Sequence, residues 1–304
     1  MEKHPIAVID LGSNTFHILI AYIRDGIIEE IDRKRVFVGL GDGGIEFLKQ
    51  SSIDKGLLAL SEFKEMMARH GCENFTTIGT AALRSASNSQ DFLIPAELIL
   101  DQKIIIIDGD LEAKYIHKGV SLITDLSEGV SVIMDIGGGS TEFIVINNGQ
   151  VIWSKSYKLG VGVLHAAFHH VEPIDETSIQ NLKNHVHEML FEMIEVLTPL
   201  NSVSKLVGAS GSFEVLESMN GWEIATHSNH IVQIETCKNI IQKVVNADYE
   251  ARLQMDGLPI ERTKLIVVAM ILIEVVLEIL KPKYIEVCPY ALKEGVLAST
   301  QKGL

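Results

Sequence analysis

Two glycine-rich turns in the chain carry the residue types that phosphate and metal binding need. Each follows an apolar stretch and joins an aspartate to glycines and small polar residues, in Asp10-Leu11-Gly12-Ser13-Asn14-Thr15 and Asp135-Ile136-Gly137-Gly138-Gly139-Ser140-Thr141. Glycine lets several backbone N–H groups approach an anion, hydroxyls add donors, and the carboxylate is a ligand that Mg²⁺ prefers. One such turn is more often a plain hairpin, but two copies with matching aspartates favour a site for phosphate and Mg²⁺.

The two turns belong to a longer internal repeat, which predicts the elements that hold them. In each half an apolar strand enters the turn, a second strand returns over 16–23 or 143–146, and a dipeptide suited to a tight hairpin follows. The remaining matches come in the same order in both halves: the dipeptides Asp25-Gly26 and Asn148-Gly149, the segments Leu40-Gly41-Asp42-Gly43 and Leu159-Gly160-Val161-Gly162, the helical stretches 53–70 and 174–197, and the strand ends Thr77-Ile78-Gly79 and Leu206-Val207-Gly208.

The order of these matches predicts an α/β protein with two duplicated domains, because strands that alternate with crossover helices form mixed sheets covered by helices. We expect the first domain to span residues 1–120 and the second 121–290, with residues 291–304 packing back on the first. The two domains are expected to face each other across a cleft, where the paired turns would meet.

Composition narrows the classes of partner. A net charge of −14 over 304 residues opposes binding to nucleic acid. Three widely spaced cysteines indicate neither a disulfide framework nor a zinc knuckle, and the N-terminus lacks the pattern of a signal peptide. The apolar run Leu265 to Leu280 is too short to span a membrane and predicts a buried helix. We therefore expect a cytoplasmic protein, plausibly a homodimer, that binds neither nucleic acid nor a membrane.

Six segments of the chain together resemble one family, the exopolyphosphatases and guanosine pentaphosphate phosphohydrolases of the actin-like ATPase superfamily. They are Ile9-Asp10-Leu11-Gly12-Ser13-Asn14, Gly79-Thr80-Ala81-Ala82-Leu83-Arg84, Glu112-Ala113, Asp135-Ile136-Gly137-Gly138-Gly139-Ser140-Thr141-Glu142, Gly208-Ala209-Ser210-Gly211 and Leu292-Lys293-Glu294-Gly295-Val296-Leu297. The resemblance extends over essentially the whole chain. It implies two actin-like, ribonuclease H-like domains, in the short form without additional helical domains, from which we expect weak processivity.

The resemblance also implies roles for individual residues. Glu112 would be the catalytic general base, Mg²⁺ would be held by Asp10, Asp135 and Glu142, and Arg84 would clamp a phosphate. The remaining phosphate-binding residues would be Gly12, Ser13, Asn14, Thr15, Gly137, Gly138, Gly139, Ser140, Thr141, Gly208, Ser210 and Gly211. Without the family, Glu112 is an ordinary acid near the start of a helix capped by Asp110, and Glu142 is a cross-strand polar residue.

Three functions follow as hypotheses. The leading one is a Mg²⁺-dependent hydrolase that releases terminal phosphate from inorganic polyphosphate or guanosine pentaphosphate, two substrates between which the residues do not choose. An alternative is an ATP-dependent kinase or ATPase of the same superfamily, and another is a non-catalytic sensor of guanosine penta- or tetraphosphate.

Val268-Ala269 and Pro289 depart from the family pattern and leave the contacts there open. His165 and His169 lie one helical turn apart, but no third zinc ligand accompanies them.

Overall fold

The computed structural model describes residues 4–24, 26–42, 44–200, 202–224 and 226–300. The chain forms two compact units. The first comprises Met1–Gly119, Gly137–Gly139 and Ala291–Leu304, and the second comprises Val120–Ile136 and Ser140–Tyr290. Each unit has one mixed β-sheet with helices, so the predicted α/β class is confirmed.

The sheet of the first unit has the strand order β3-β2-β1-β4-β5. Its strands are β1 (Ile6–Leu11), β2 (Thr15–Arg24), β3 (Ile27–Phe37), β4 (Asn74–Gly79) and β5 (Ile105–Ile106), and its helices are α1 (Gln50–Arg69), α2 (Ala81–Ser85), α3 (Gln90–Leu100), α4 (Gly109–Val120) and the C-terminal α12 (Leu292–Thr300). The first three strands form an antiparallel meander, whereas β1, β4 and β5 run parallel. The carboxyl ends of β1, β4 and β5 therefore lie at one edge of this sheet.

The sheet of the second unit has the order β10-β11-β9-β6-β7-β8. Its strands are β6 (Val130–Ile136), β7 (Thr141–Asn147), β8 (Gln150–Tyr157), β9 (Val203–Ala209), β10 (His230–Val232) and β11 (Tyr284–Cys288), and its helices are α5 (Val161–Phe168), α6 (Glu176–Met189), α7 (Phe191–Leu197), α8 (Gly211–Met219), α9 (Ile234–Val245), α10 (Tyr249–Leu253) and α11 (Ile266–Leu280), with a 3-10 turn at Ile260–Arg262. The strands β6, β9 and β11 run parallel.

The internal repeat is confirmed in the topology, because β1 to β4 and β6 to β9 have the same order and the same directions. Asn148 and Gly149 form the predicted hairpin turn, with φ values of 49° and 78°, whereas Asp25 and Gly43 lie outside the described residues. One predicted element differs from the one observed, because the stretch 174–197 breaks at Leu190 into α6 and α7.

The core of the second unit is built around α11 and β6. Twelve of the fifteen residues of α11 are buried, which confirms the predicted buried helix, and every residue of β6 is buried. Each fully buried Leu, Ile or Val side chain contributes about 1.5–3 kcal/mol to folding, so β6 is a rigid base for the glycine turn that follows it. No helix in the described part of the chain is long and apolar enough to cross a membrane.

The C-terminal helix α12 packs closely against α4 through two glycines. A Cβ added to Gly119 would collide with the carbonyl oxygen of Ala291, and one added to Gly295 would collide with that of Tyr115. Lys118 of α4 donates from Nζ to the Ala298 carbonyl at 2.9 Å and the Ser299 hydroxyl at 2.8 Å. Glycine at both positions therefore lets α12 fix the position of α4, which carries Glu112.

Candidate active site

Arg84 and Glu112 lie together in the first unit. The Arg84 Nη1 is 3.4 Å from Glu112 Oε2 and donates to the carbonyl oxygen of Ile107 at 2.6 Å. Arg84 has no further hydrogen bond within the described residues, so Nε and Nη2 keep their N–H groups for another acceptor. The Glu112 side chain is 8% exposed and that of Arg84 is 28% exposed. A guanidinium suited to phosphate binding thus lies directly beside a buried carboxylate.

Glu112 is placed by the first turn of α4, as predicted, but a different residue caps this helix. Asp108 Oδ1 accepts a hydrogen bond from the backbone N–H of Leu111 at 2.8 Å, and its carbonyl accepts from the N–H of Glu112 at 3.0 Å. The prediction that Asp110 is the cap is therefore wrong, because the helix already begins at Gly109 and Asp110 lies within its first turn. Asp108 occupies the position whose side chain reaches the free N–H groups of the first turn.

The first glycine turn connects β1 to β2 and is held from both sides. A Cβ on Gly12 would lie 2.8 Å from the carbonyl oxygen of Thr15, so only glycine fits this tight bend. The carbonyl of Asn14 accepts from Val38 and Gly39, and the buried Ser13 hydroxyl accepts from the Ala82 N–H at 3.0 Å. The Ser13 O–H proton is not used by these bonds and can be donated to a phosphate oxygen.

The glycines Gly137–Gly139 of the second turn belong to the first compact unit. A Cβ on Gly138 would be 2.9 Å from the Asn14 backbone nitrogen, and one on Gly139 would be 2.8 Å from the Ser13 Oγ. Both distances are shorter than real Cβ contacts, so this approach requires glycine. Within the first unit, Gly137–Gly139 therefore lie directly against the first turn.

Asp10, at the end of β1, faces His17 across the antiparallel pair β1–β2. The His17 Nδ1 is 3.6 Å from Asp10 Oδ2, and the Asp10 side chain is 13% exposed. The second carboxylate oxygen, Oδ1, is buried and has no hydrogen-bond partner within the described residues. A buried carboxylate oxygen without a donor or cation is costly, so Asp10 is suited to accept a ligand.

Asp135 and Glu142 occupy the corresponding positions in the second unit. They are opposite each other in the β6–β7 register, as Asp10 and His17 are in β1–β2. Both residues are buried, and Ser156 of β8 donates its hydroxyl to Glu142 Oε1 at 2.6 Å. Two buried carboxylates on neighbouring strands concentrate negative charge, which a cation would offset.

Several predicted phosphate-binding side chains have protein partners in the second unit. Thr141 is fully buried and donates its hydroxyl to the Leu159 carbonyl at 2.8 Å. Ser210, with a φ of 73°, donates to the Ile136 carbonyl at 2.9 Å. Gly208 lies within β9, where the ring of Phe213 occupies the space of a side chain. These three residues shape the sheet edge, and the buried Ser140 lies beside them at the start of β7.

Gly211 opens α8, and the guanidinium of Arg262 occupies the space where its side chain would be. The Nη2 of Arg262 is also 3.5 Å from Glu214 Oε2. The structure thereby places a cation at a helix N-terminus that the sequence predicted for phosphate binding. A helix N-terminus and a guanidinium both favour an anion.

The residues present fit a Mg²⁺ ion that is shared with a phosphate substrate better than one held by the protein alone. Among the described residues, no group of three or more His, Cys, Asp or Glu side chains is arranged to hold a metal. Mg²⁺ is commonly held by one or two carboxylates together with waters and substrate phosphates. In the second unit the Asp135–Glu142 pair provides carboxylate oxygens of this type, and in the first unit the Asp10 Oδ1, which has no partner among the described residues, does so separately.

His17 and Ser156 are site residues that the sequence interpretation did not include. The repeat contained a signal for His17, because it follows Asp10 by seven residues, as Glu142 follows Asp135. No comparable signal identified Ser156, since its contact with Glu142 depends on the register between β7 and β8.

Comparison with known families identifies the family of this chain. The model of the Ppx/GppA phosphatase family matches residues 19–303. The chain belongs to this family. A relative from Haemophilus influenzae, named as a candidate exopolyphosphatase, is 30% identical over 301 residues, which cover 98% of this chain and 91% of that protein. The guanosine-5'-triphosphate,3'-diphosphate pyrophosphatase of Pseudoalteromonas translucida is also 30% identical, and the match covers 98% of this chain but 59% of that longer protein.

Solved structures of Ppx/GppA proteins show the same fold. An exopolyphosphatase from Cytophaga hutchinsonii superposes with a TM-score of 0.93 at 31% identity over 99% of both chains. The PPX-GPPA enzyme of Aquifex aeolicus superposes with a TM-score of 0.79 at 23% identity, covering 97% of this chain and 99% of that one. The fold predicted from the internal repeat is therefore the fold of this family.

Proposed function

We propose that this Ppx/GppA protein hydrolyses the terminal phosphoanhydride bond of inorganic polyphosphate or guanosine pentaphosphate, with Glu112 as general base and Mg²⁺ as cofactor. The observation that carries the proposal is the pairing of Arg84 with the buried Glu112 at 3.4 Å. The names of the relatives, an exopolyphosphatase and a guanosine pentaphosphate pyrophosphatase, support the choice of substrates.

Arg84 and Glu112 would act on neighbouring groups. The free N–H groups of Arg84 would bind oxygens of the terminal phosphoryl group, and Glu112 would orient a water molecule and accept its proton. The water oxygen forms a bond to phosphorus as the bond to the bridging oxygen breaks, and the shortened chain leaves with that electron pair. Anchoring Arg84 on the Ile107 carbonyl keeps the clamp beside the base.

The glycine turns would bind the phosphates, each through its own backbone N–H groups. Gly12, Ser13, Asn14, Thr15 and Gly137–Gly139 serve this role in the first unit, and Ser140, Thr141, Ser210 and Gly211 in the second. Asp10, Asp135 and Glu142 would hold Mg²⁺, which offsets charge on the phosphate oxygens when bound. For Thr141 and Ser210 the proposal concerns the backbone, because their hydroxyls are already bonded to carbonyls.

The predicted domain boundaries, a cytoplasmic location and a homodimeric state belong to the same proposal. The three cysteines, Cys72, Cys237 and Cys288, are buried free thiols, which suits a reducing compartment.

The decisive experiment is phosphate release by the wild-type protein and the Glu112→Gln variant. We expect release from polyphosphate or guanosine pentaphosphate with Mg²⁺, and a loss of at least about 100-fold in kcat for the variant, because the amide cannot accept the proton. Asp110→Asn is the matched control, since Asp110 lies in the same turn of α4 but is exposed. Wild-type-like turnover by Glu112→Gln would remove Glu112 from this role.

The substrate panel tests the reaction itself. Polyphosphates of several lengths, guanosine pentaphosphate and ATP are compared with and without Mg²⁺. Preferential turnover of ATP would favour a kinase or ATPase, whereas tight binding of guanosine pentaphosphate without phosphate release would favour a sensor.

A further inference from the structure

The first glycine turn contains a residue pair that the proposed reaction does not yet use. His17 of β2 lies opposite Asp10 of β1, and its Nδ1 is 3.6 Å from Asp10 Oδ2. Nδ1 is thus the ring nitrogen nearest to the carboxylate, at contact distance rather than at the distance of a hydrogen bond. His17 thereby contacts one oxygen of Asp10 and leaves Oδ1 buried without a partner.

The partner that Oδ1 lacks can be defined by chemistry. A phosphate oxygen is itself an acceptor and carries negative charge, so it cannot pair with a carboxylate oxygen. A donor or a cation is required, and the surrounding turn provides neither to Oδ1 within the described residues. A divalent cation, or a water bound to it, meets this requirement.

We infer that His17 is a positioning residue, which orients Asp10 so that Oδ1 faces a divalent cation. This inference rests on the proposed function, because it assigns a task to one of the proposed Mg²⁺ ligands. Side chains that hold metal-binding carboxylates in place commonly change metal affinity by about 10- to 100-fold when they are replaced. The repeat shows that this position faces the aspartate of each turn, since Glu142 lies opposite Asp135 as His17 lies opposite Asp10.

Two substitutions of His17 separate positioning from packing. His17→Asn keeps an N–H donor near the place of Nδ1, whereas His17→Leu fills similar space without a donor. We expect the dissociation constant of Mn²⁺, measured by electron paramagnetic resonance of the free ion, to rise about tenfold in His17→Leu and by less than about threefold in His17→Asn. The matched control is His70→Leu, because His70 also pairs with an aspartate, Asp32 at 2.8 Å, away from the turn.

The outcomes are distinct. Unchanged Mn²⁺ affinity in folded His17→Leu, or equal losses in His17→Leu and His17→Asn, would overturn the inference. If His17→Leu does not fold, His17→Gln replaces it, since its amide is one bond farther from the backbone and cannot match Nδ1. The metal readout needs no turnover, so the inference holds if the Mn²⁺ affinity depends on His17 even in a protein that releases no phosphate. If the wild-type protein releases phosphate but its Mn²⁺ affinity does not depend on His17, the proposed function is supported and the inference about His17 is overturned.

Discussion

The two glycine turns share one architecture but differ in what surrounds their aspartates. Asp10 faces an imidazole, whereas Asp135 faces the carboxylate of Glu142 at the same register position. With every carboxylate ionised, the Asp10–His17 pair carries at most one negative charge. The Asp135–Glu142 pair carries two. The two turns share a backbone arrangement but differ in charge, because the returning strand places His17 opposite one aspartate and Glu142 opposite the other.

The first unit also holds Arg84 and Glu112, the pair to which the proposed function assigns the reaction. At the corresponding strand end of the second unit, β9 leads through Ser210 into α8, and Arg262 lies against Gly211. The proposed function therefore implies a division of labour, in which the first unit carries the reacting groups and the second contributes the stronger cation-binding pair.

The largest expected effect is a higher Mg²⁺ requirement after an acid is removed from the second turn. Asp135→Asn or Glu142→Gln leaves one carboxylate of the pair, and a bound metal contributes several kcal/mol of charge stabilisation. The Mg²⁺ concentration for half-maximal phosphate release should rise on the order of 100-fold, a change of about 2.7 kcal/mol. Asp10→Asn should raise it by only about tenfold, as expected from the loss of one ligand beside a histidine.

Equal rises in the Mg²⁺ requirement for Asp135→Asn and Asp10→Asn would contradict the proposed difference between the turns, because both turns would then contribute equally to metal binding. A larger effect of Asp10→Asn would reverse it.

Ser156→Ala should raise the Mg²⁺ requirement by a smaller amount, because it changes only a contact in the second turn. The hydroxyl donates to Glu142 at 2.6 Å, and its loss leaves a buried carboxylate oxygen less well oriented. We expect about a tenfold rise in the Mg²⁺ requirement with little change in kcat at saturating Mg²⁺. Ser154→Ala on the same strand is the control, since Ser154 pairs with Ile144 rather than with an acid. A similar loss in both variants would indicate a general weakening of β8.

The sequence was sufficient to predict the repeat, the α/β class and the buried helix α11, because hydrophobic patterning and glycine turns are local signals. It also indicated that Glu112 lies in a first helical turn. It did not identify Asp108 as the cap, since two aspartates, Asp108 and Asp110, lie within one turn and only the backbone decides which begins the helix.

Sequence patterns did not predict the contacts between segments that are distant along the chain. The pairing of Ser156 with Glu142 depends on a β-bulge-shifted register in β7–β8, and the contact of Arg262 with Gly211 joins positions about 50 residues apart. Both contacts follow from tertiary packing, which overrides local propensity.

The smallest effects are expected from one histidine in each unit, the half-buried His117 of α4 and the buried His169 after α5. Burial lowers the pKa of both from 6.5, and Glu172 partly opposes this for His169, with its Oε1 3.2 Å from Nε2. A lowered pKa in the folded state means that the unfolded chain takes up protons first as the pH falls. Stability is therefore complete above pH 6.5 and is lost as the pH falls through the lowered folded-state pKa.

Melting temperatures between pH 8 and pH 5 would show whether the two units share this acid sensitivity, on the order of a few degrees. His117→Gln and His169→Gln should each flatten the decrease at low pH, whereas His187→Gln, at an exposed position on α6, should not. We expect the flattening to be greater for His117→Gln, because Glu172 stabilises the protonated form of His169 and so opposes the effect of burial on its pKa. A greater flattening for His169→Gln would show that the neighbouring Arg252, which favours the neutral imidazole, outweighs Glu172.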